Sequence, residues 1–146
     1  MNIEILMSTY NGMNSIERQI ETILRQENVD IHLTIRDDGS NDRTVEIIKN
    51  LQELYPEQIT LYCGKNVGYR KSFLQLLNLA ADADYYGFAD QDDIWKPTKI
   101  QRAVECLEQV ESTIKLYASS LEIADPQLNV IAVSYTHLTL PTNREV

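Results

Sequence analysis

The chain has 146 residues, 43% of them hydrophobic, which suffices for one domain with a real core and is too little for two. Thirteen Lys and Arg against 22 Asp and Glu leave a formal net charge of −9. That balance argues against a nucleic-acid-binding module, which needs a basic face for phosphates, and against electrostatic docking on anionic lipid. No apolar run approaches the roughly 18–20 residues of a membrane helix. The chain opens directly as a strand with no basic n-region or cleavage site, so no signal peptide is expected. Cys63 and Cys106 make neither a disulfide framework nor a metal motif, and read as reduced, buried thiols of a cytoplasmic protein. His32 and His137 lie far apart, which speaks against a histidine zinc site.

In chain order, residues 2–8 form a short apolar strand. Ile16, Ile20, Ile23 and Leu24 fall on one face of a helix over roughly residues 14–27. Ile31, Leu33 and Ile35 alternate with His32, Thr34 and Arg36, as in a strand with unlike faces. Val45, Ile48, Leu51 and Leu54/Tyr55 mark a second helix, stopped by Pro56. Ile59, Leu61 and Cys63 predict a third strand. Phe73, Leu74, Leu77 and Ala80/Ala81 predict a third helix, and Tyr85–Ala89 a fourth strand, expected at the middle of the sheet. Pro97 suits the first residue of a fourth helix with Ile100, Val104, Leu107 and Val110 on its apolar face. A fifth strand over roughly residues 114–121 precedes an Asp125-Pro126 turn. Strands alternating with helices of this length predict βαβ units, parallel pairing and right-handed crossovers. The expected fold class is α/β.

In a parallel sheet all carboxyl ends lie on one edge, where ligands bind. The strands there deliver Ser8-Thr9-Tyr10-Asn11-Gly12, Asp37-Asp38-Gly39-Ser40, Gly64-Lys65-Asn66-Val67-Gly68 and Asp90-Gln91-Asp92-Asp93. Neither G-x-G-x-x-G after the first strand nor G-x-x-x-x-G-K-[ST] anywhere is present. If this rim holds phosphates, a divalent cation on carboxylates is the alternative to a glycine cradle. Mg²⁺ is commonly bound by one or two carboxylates plus substrate phosphates.

Each motif also has a plain structural reading. The acidic run at 90–93 can be a solvated turn that caps a helix, although three carboxylates in four residues repel one another and a dication removes that cost. In Asp37-Asp38-Gly39-Ser40, a tight turn with Ser40 or Asp42 capping occupies at least one aspartate. Asp38 can instead accept a hydrogen bond from an imide N–H such as uracil or thymine N3 offers, with Tyr10 stacked on that base or simply packed as an amphipathic ring. Asn66-Val67-Gly68 with Arg70 and Lys71 can bring cations to a diphosphate at a helix N-terminus, or be an ordinary turn with solvated basic residues. Trp95 reads as a core or loop anchor rather than a sugar platform.

Taken together, Ser8-Thr9-Tyr10-Asn11-Gly12, Arg36-Asp37-Asp38-Gly39-Ser40-x-Asp42-x-Thr44, Asn66-x-Gly68 and Phe88-Ala89-Asp90-Gln91-Asp92-Asp93-x-Trp95 resemble the nucleotide-binding half of the family 2 glycosyltransferases. Those enzymes have the GT-A fold, a Rossmann-like arrangement with a mostly parallel central sheet flanked by helices. Asp-Gln-Asp-Asp-Ile-Trp with Ser72-Phe73-x-x-Leu76-Leu77 is most similar to bacterial rhamnosyltransferase-like members. The resemblance covers roughly residues 2–132.

The resemblance implies that Ser8 and Tyr10 contact a pyrimidine nucleotide and that Asp38 accepts the base imide; Gly68 and Arg70 join the expected nucleotide-sugar-binding residues on the reading of the 66–71 segment above. Asp90 and Asp92 match the family's D-x-D motif, Asp92 as direct metal ligand and Asp90 nearer the ribose or a metal-bound water, with Asp93 supporting the loop. It further implies Mg²⁺ or Mn²⁺ bridging the donor's phosphates, a UDP- or dTDP-sugar donor, and a saccharide or lipid-linked saccharide acceptor. The implied setting is bacterial cell-surface polysaccharide synthesis, in the cytoplasm, with peripheral membrane association open. Two departures bear on this. The family's general base lies well beyond the D-x-D motif, so the domain over residues 1–132 is expected to be incomplete and inactive alone. Residues 133–146 match nothing expected there and read as a foreign tail. A non-catalytic α/β nucleotide- or metal-binding module remains the alternative.

Overall fold

The computed structural model describes residues 1–134. It comprises two units, one over Met1–Arg102 and one from Ala103 onward. The first is a three-layer α/β unit. Its sheet contains β1 (Asn2–Thr9), β2 (Asp30–Asp37), β3 (Ile59–Cys63) and β4 (Tyr85–Ala89), in the order β3-β2-β1-β4 with every pair parallel. Between them run α1 (Ile16–Leu24), α2 (Thr44–Leu54) and α3 (Tyr69–Leu79), and α4 (Lys99–Glu108) follows β4. β1 pairs with β2 over its full length, Ile3 opposite Ile31 and Thr9 opposite Asp37. This is the α/β, parallel-sheet fold expected.

The pleat sorts the residues. Ile3, Ile5 and Met7 of β1 join Ile31, Leu33 and Ile35 of β2 in a core closed by Ile16, Ile20 and Ile23 of α1 and Ile48 of α2, all 5% exposed or less. The opposite face, under α3, is unusually polar. Glu4 is 1% exposed and accepts hydrogen bonds from Thr34 and from the His32 ring, whose other nitrogen meets Thr60 Oγ1 at 3.0 Å. A strip of four polar side chains thus crosses three strands with its partners supplied internally, as burial of polar groups requires.

Several expectations are corrected. β4 stands at the sheet's edge among the described residues, bonded to β1, rather than at the middle. On α3 the buried positions are Ser72 and Leu76, while Leu74 and Leu77 are exposed, and on α2 Leu54 is exposed too. Periodicity located these helices, but only part of each apolar stripe is covered: α3 packs on β1 and β2, and α2 on β3 and α1. Cys63, the last residue of edge strand β3, and Cys106, on α4, are exposed thiols rather than buried ones. Pro97 lies in a turn two residues ahead of α4, whose first backbone bond runs from Lys99 N–H to Lys96 C=O.

The predicted strand at 114–121 is not formed. Ser112 Oγ accepts from Ile114 N–H and donates to Ile114 C=O, closing a local turn that competes with pairing. The strand instead is β5 (Leu121–Ala124), antiparallel to β6 (Val130–Ser134). The expected turn at Asp125-Pro126 is present. Asp125 accepts from the backbone N–H groups of Gln127 and Asn129 and from the Asn129 amide. Of the tail read as foreign, Val133 and Ser134 belong to β6, and residues 135–146 lie outside the described residues.

Candidate functional site

Strand order reverses beside β1, which has β2 and β3 on one side and β4 on the other. Open α/β sheets form their ligand crevice at such a point, beyond the carboxyl ends of the strands. Here it is a cleft of about 280 Å³. Its lining includes Ser8 near the end of β1, Tyr10 after β1, Asp38 after β2, Gly68 before α3, and Asp90 and Asp92 after β4. Six predicted site residues, scattered over 85 positions of sequence, therefore share one cavity. Arg70 does not line it. Its guanidinium is bonded to the Tyr69 side chain, which raises its pKa.

The two aspartates of Asp37-Asp38 have different tasks. Asp37 closes the turn: it accepts from the N–H groups of Gly39 and Ser40 and from the hydroxyls of Ser40 and Thr9. Asp38 is 3% exposed. Its Oδ1 takes Arg36 Nη1 at 2.6 Å and Val67 N–H at 2.9 Å, and its Oδ2 takes Gly68 N–H at 3.0 Å. Burial pushes the Asp38 carboxyl up, but the bonds from Arg36, Val67 and Gly68 together outweigh it and hold it below the ordinary range. Gly68 has φ +85°, a left-handed conformation that aims its N–H at Asp38 and that a larger residue would resist.

Ser40, Asp42 and Thr44 knot the loop after β2 to the loop after β1. Asn11 N–H donates to Ser40 Oγ, Gly12 N–H to Thr44 Oγ1 and Met13 N–H to Asp42. Asp42 also accepts from Thr44 N–H and Oγ1, and the Thr44 hydroxyl is the chief reason its carboxyl sits below the ordinary range. The capping expected of this segment is thus a brace for Tyr10, whose ring is 44% exposed over the cleft.

The acidic loop is docked on α1. Gln19 Nε2 donates to Asp90 C=O, Thr22 Oγ1 accepts from Trp95 N–H, and Gln26 bonds both Lys96 C=O and Ile100 N–H. Trp95 is buried, the anchor expected of it, with Lys99 Nζ 5.4 Å from its ring centroid. Gln91 spans the cleft floor: its amide accepts from Tyr10 N–H and donates to Tyr10 C=O, each at 2.9 Å. Asp90 and Asp92 are exposed. Asp93 is raised by burial first and then by the charges of Asp90 and Asp92, against a smaller lowering by Lys99.

Among the described residues no group of three or more His, Cys, Asp or Glu converges on a metal position. Two exposed carboxylates at an open cleft, in a loop whose negative charge disfavours ionising a third, fit a hard dication that takes its remaining oxygens from phosphate and water. The chemistry of the residues suits Mg²⁺ or Mn²⁺ in that mode.

Gln19 and Gln26 escaped the sequence reading, and Arg36, Ser72 and Gln91 stood within its motifs without a role. Gln19, on the apolar face of α1, and Gln26, two residues past its end, sit seven apart in line with Ile16, Ile20 and Ile23, a polar interruption that signals a buried amide. Arg36 and Ser72 carried the same signal, a charge and a hydroxyl at positions facing another layer.

The comparisons with known proteins bear on the family and the fold. The model of the glycosyl transferase family 2 matches residues 4–122. Over 119 residues the chain is 39% identical to the dTDP-rhamnosyl transferase RfbG of Shigella flexneri, covering 79% of this chain and 40% of that protein. The chain thus spans less than half the length of that relative. A mannosyltransferase of Pyrobaculum calidifontis, solved with GDP-Man and Mn²⁺, shares the fold at a TM-score of 0.65 and 21% identity, over 72% of this chain and 32% of that one. Residues 1–349 of S. aureus TarS, solved with UDP, do so at a TM-score of 0.64 and 17% identity, over 89% of this chain and 43% of that one.

Proposed function

The chain belongs to glycosyl transferase family 2, and from that premise we propose that its cleft holds the nucleoside-diphosphate end of a sugar donor, UDP- or dTDP-linked, for glycosyl transfer. The observation that carries this is one cavity lined by a bonded carboxylate after β2, an exposed aromatic residue after β1 and two exposed carboxylates after β4. Those are the complements of a pyrimidine and of a metal-bound diphosphate. Tyr10 stacks on the base, Asp38 accepts its imide N–H through the acceptor position left on Oδ2, and Ser8 lies beside them. Gly68 lines the cleft just before α3, whose N-terminus favours phosphate, while Arg70, outside the lining and paired with Tyr69, is left with no direct phosphate contact in this reading.

Asp92 and Asp90 would hold the divalent cation. When bound, such an ion supplies electrophilic stabilisation of the departing nucleoside diphosphate. Rhamnose is the first candidate sugar, because RfbG is named for it, and a saccharide or lipid-linked saccharide of the bacterial surface is the candidate acceptor. A cytoplasmic site with peripheral contact to the membrane accompanies this reading. No helix of the described residues is long and apolar enough to cross a membrane.

Calorimetric titration of UDP and dTDP, first with Mn²⁺ or Mg²⁺ and then with EDTA, tests the proposal. Binding that needs the metal is expected. Equal binding in EDTA would sink the metal bridge.

A further inference from the structure

Behind the base end of the cleft lies a buried cation. Arg36 is 4% exposed and Ser72 is fully buried. Besides Asp38, Arg36 Nη1 donates to Ser72 Oγ at 3.0 Å, and Nη2 donates to Lys65 C=O at 3.1 Å. Ser72 in turn accepts from Ser8 Oγ at 2.6 Å. The backbone at Gly64 lies flat against the guanidinium, since a Cβ there would stand 2.4 Å from Nη2. One side chain therefore ties together α3, the loop before it and the carboxylate that faces the base, and Ser72 carries the link on to β1.

We infer that Arg36 is a positioning residue that sets base preference, holding Asp38 as an obligate hydrogen-bond acceptor so that a ring N–H is welcomed and a ring nitrogen lone pair refused. The inference rests on the role proposed above for Asp38. A carboxylate has about four acceptor positions, and Arg36, Val67 and Gly68 fill three. The fourth can only accept while Asp38 is ionised. Without Arg36, burial would favour a proton on Asp38, and a protonated carboxyl can donate to cytosine N3. Uracil and cytosine have the same size and differ at that ring position and at C4, where cytosine carries an amino group in place of the carbonyl. The C4 groups do not titrate in the range used, so the pH dependence of the affinity ratio reports the ring position.

The other titratable groups lining the cleft are Tyr10 from β1's end, Tyr69 from α3, and Asp90 and Asp92 from the loop after β4. UDP and CDP carry the same diphosphate, so any titration at Asp90 and Asp92 cancels in their affinity ratio.

The experiment measures that ratio for the 146-residue chain with saturating Mn²⁺ between about pH 5.5 and 8, where ordinary Asp and Tyr do not titrate. The wild type should prefer UDP by on the order of tenfold or more, with little change over the range. Arg36→Gln should bring the ratio close to one at the acid end and restore part of it at the alkaline end. Arg36→Lys, which keeps the charge, should restore a pH-independent preference. A purely structural Arg36 would weaken UDP and CDP alike and leave the ratio flat, which overturns the inference while sparing the Asp38 role. A wild type without preference overturns both. Should Arg36→Gln not fold, the wild type still decides: its Asp38 carboxyl carbon, followed by NMR, should stay ionised below the range where an ordinary aspartate titrates. Titration at or above that range contradicts the inference.

Discussion

The two ends of the cleft are built on opposite plans. At the base end, Asp38 and Arg36 are each under 5% exposed, and three of about four acceptor positions on Asp38 are filled before any ligand arrives. At the other end Asp90 and Asp92 are exposed, and their charges help raise Asp93. The first end is finished and selects shape and hydrogen-bond pattern. The second carries uncompensated charge and selects a cation. A donor that is part base and part metal-bound diphosphate satisfies both, and neither end suffices alone.

If the contrast is right, damage to the finished end should cost folding stability and damage to the open end should cost ligand affinity alone. Arg36→Met leaves a buried carboxylate without its cation and should lower unfolding free energy by about 3–5 kcal/mol, read in urea melts. Asp92→Asn should leave the melt unchanged and weaken metal-dependent UDP binding on the order of 10–100-fold. Unchanged affinity for both metal and UDP would remove Asp92 from the site.

Two smaller effects sharpen the comparison. Asp38→Ala should flatten the preference for UDP over ADP by about 1–3 kcal/mol, seen as the ratio of dissociation constants. Gln91→Met removes two bonds to the Tyr10 backbone and should weaken UDP by about 1 kcal/mol without changing how binding depends on the metal. The pH dependence has a fixed sign. Asp38 is held below its ordinary value of 3.8 in the folded chain, so its contribution to stability is complete above that value and fades as pH falls through the lowered one. Acid melts of the wild type should show that loss, and Asp38→Ala should not.

The elements of the first unit were legible because each has one apolar face with a clear period, as in Ile16, Ile20 and Ile23. The cleft was legible because a parallel sheet sends every strand-end loop to one rim. Which face of a helix is covered depends on how many layers pack on it, and no period reports that, hence the misplaced stripe on α3. The Ser112 turn that displaced the strand at 114–121 is a local bond competing with a pairing the periodicity favoured. The amides of Gln19 and Gln26 interrupt an apolar stripe and so signal burial, but their partners, like those of Gln91, are backbone groups that the sequence does not identify.

NMR of the labelled chain with UDP and Mn²⁺ tests the central claim most directly. The account predicts chemical-shift changes at Tyr10, Val67 and Gly68 with UDP, and paramagnetic broadening by Mn²⁺ centred on Asp90–Asp93 that strengthens when UDP is present. Broadening indifferent to UDP, or UDP shifts remote from Tyr10, Val67 and Gly68, would contradict it.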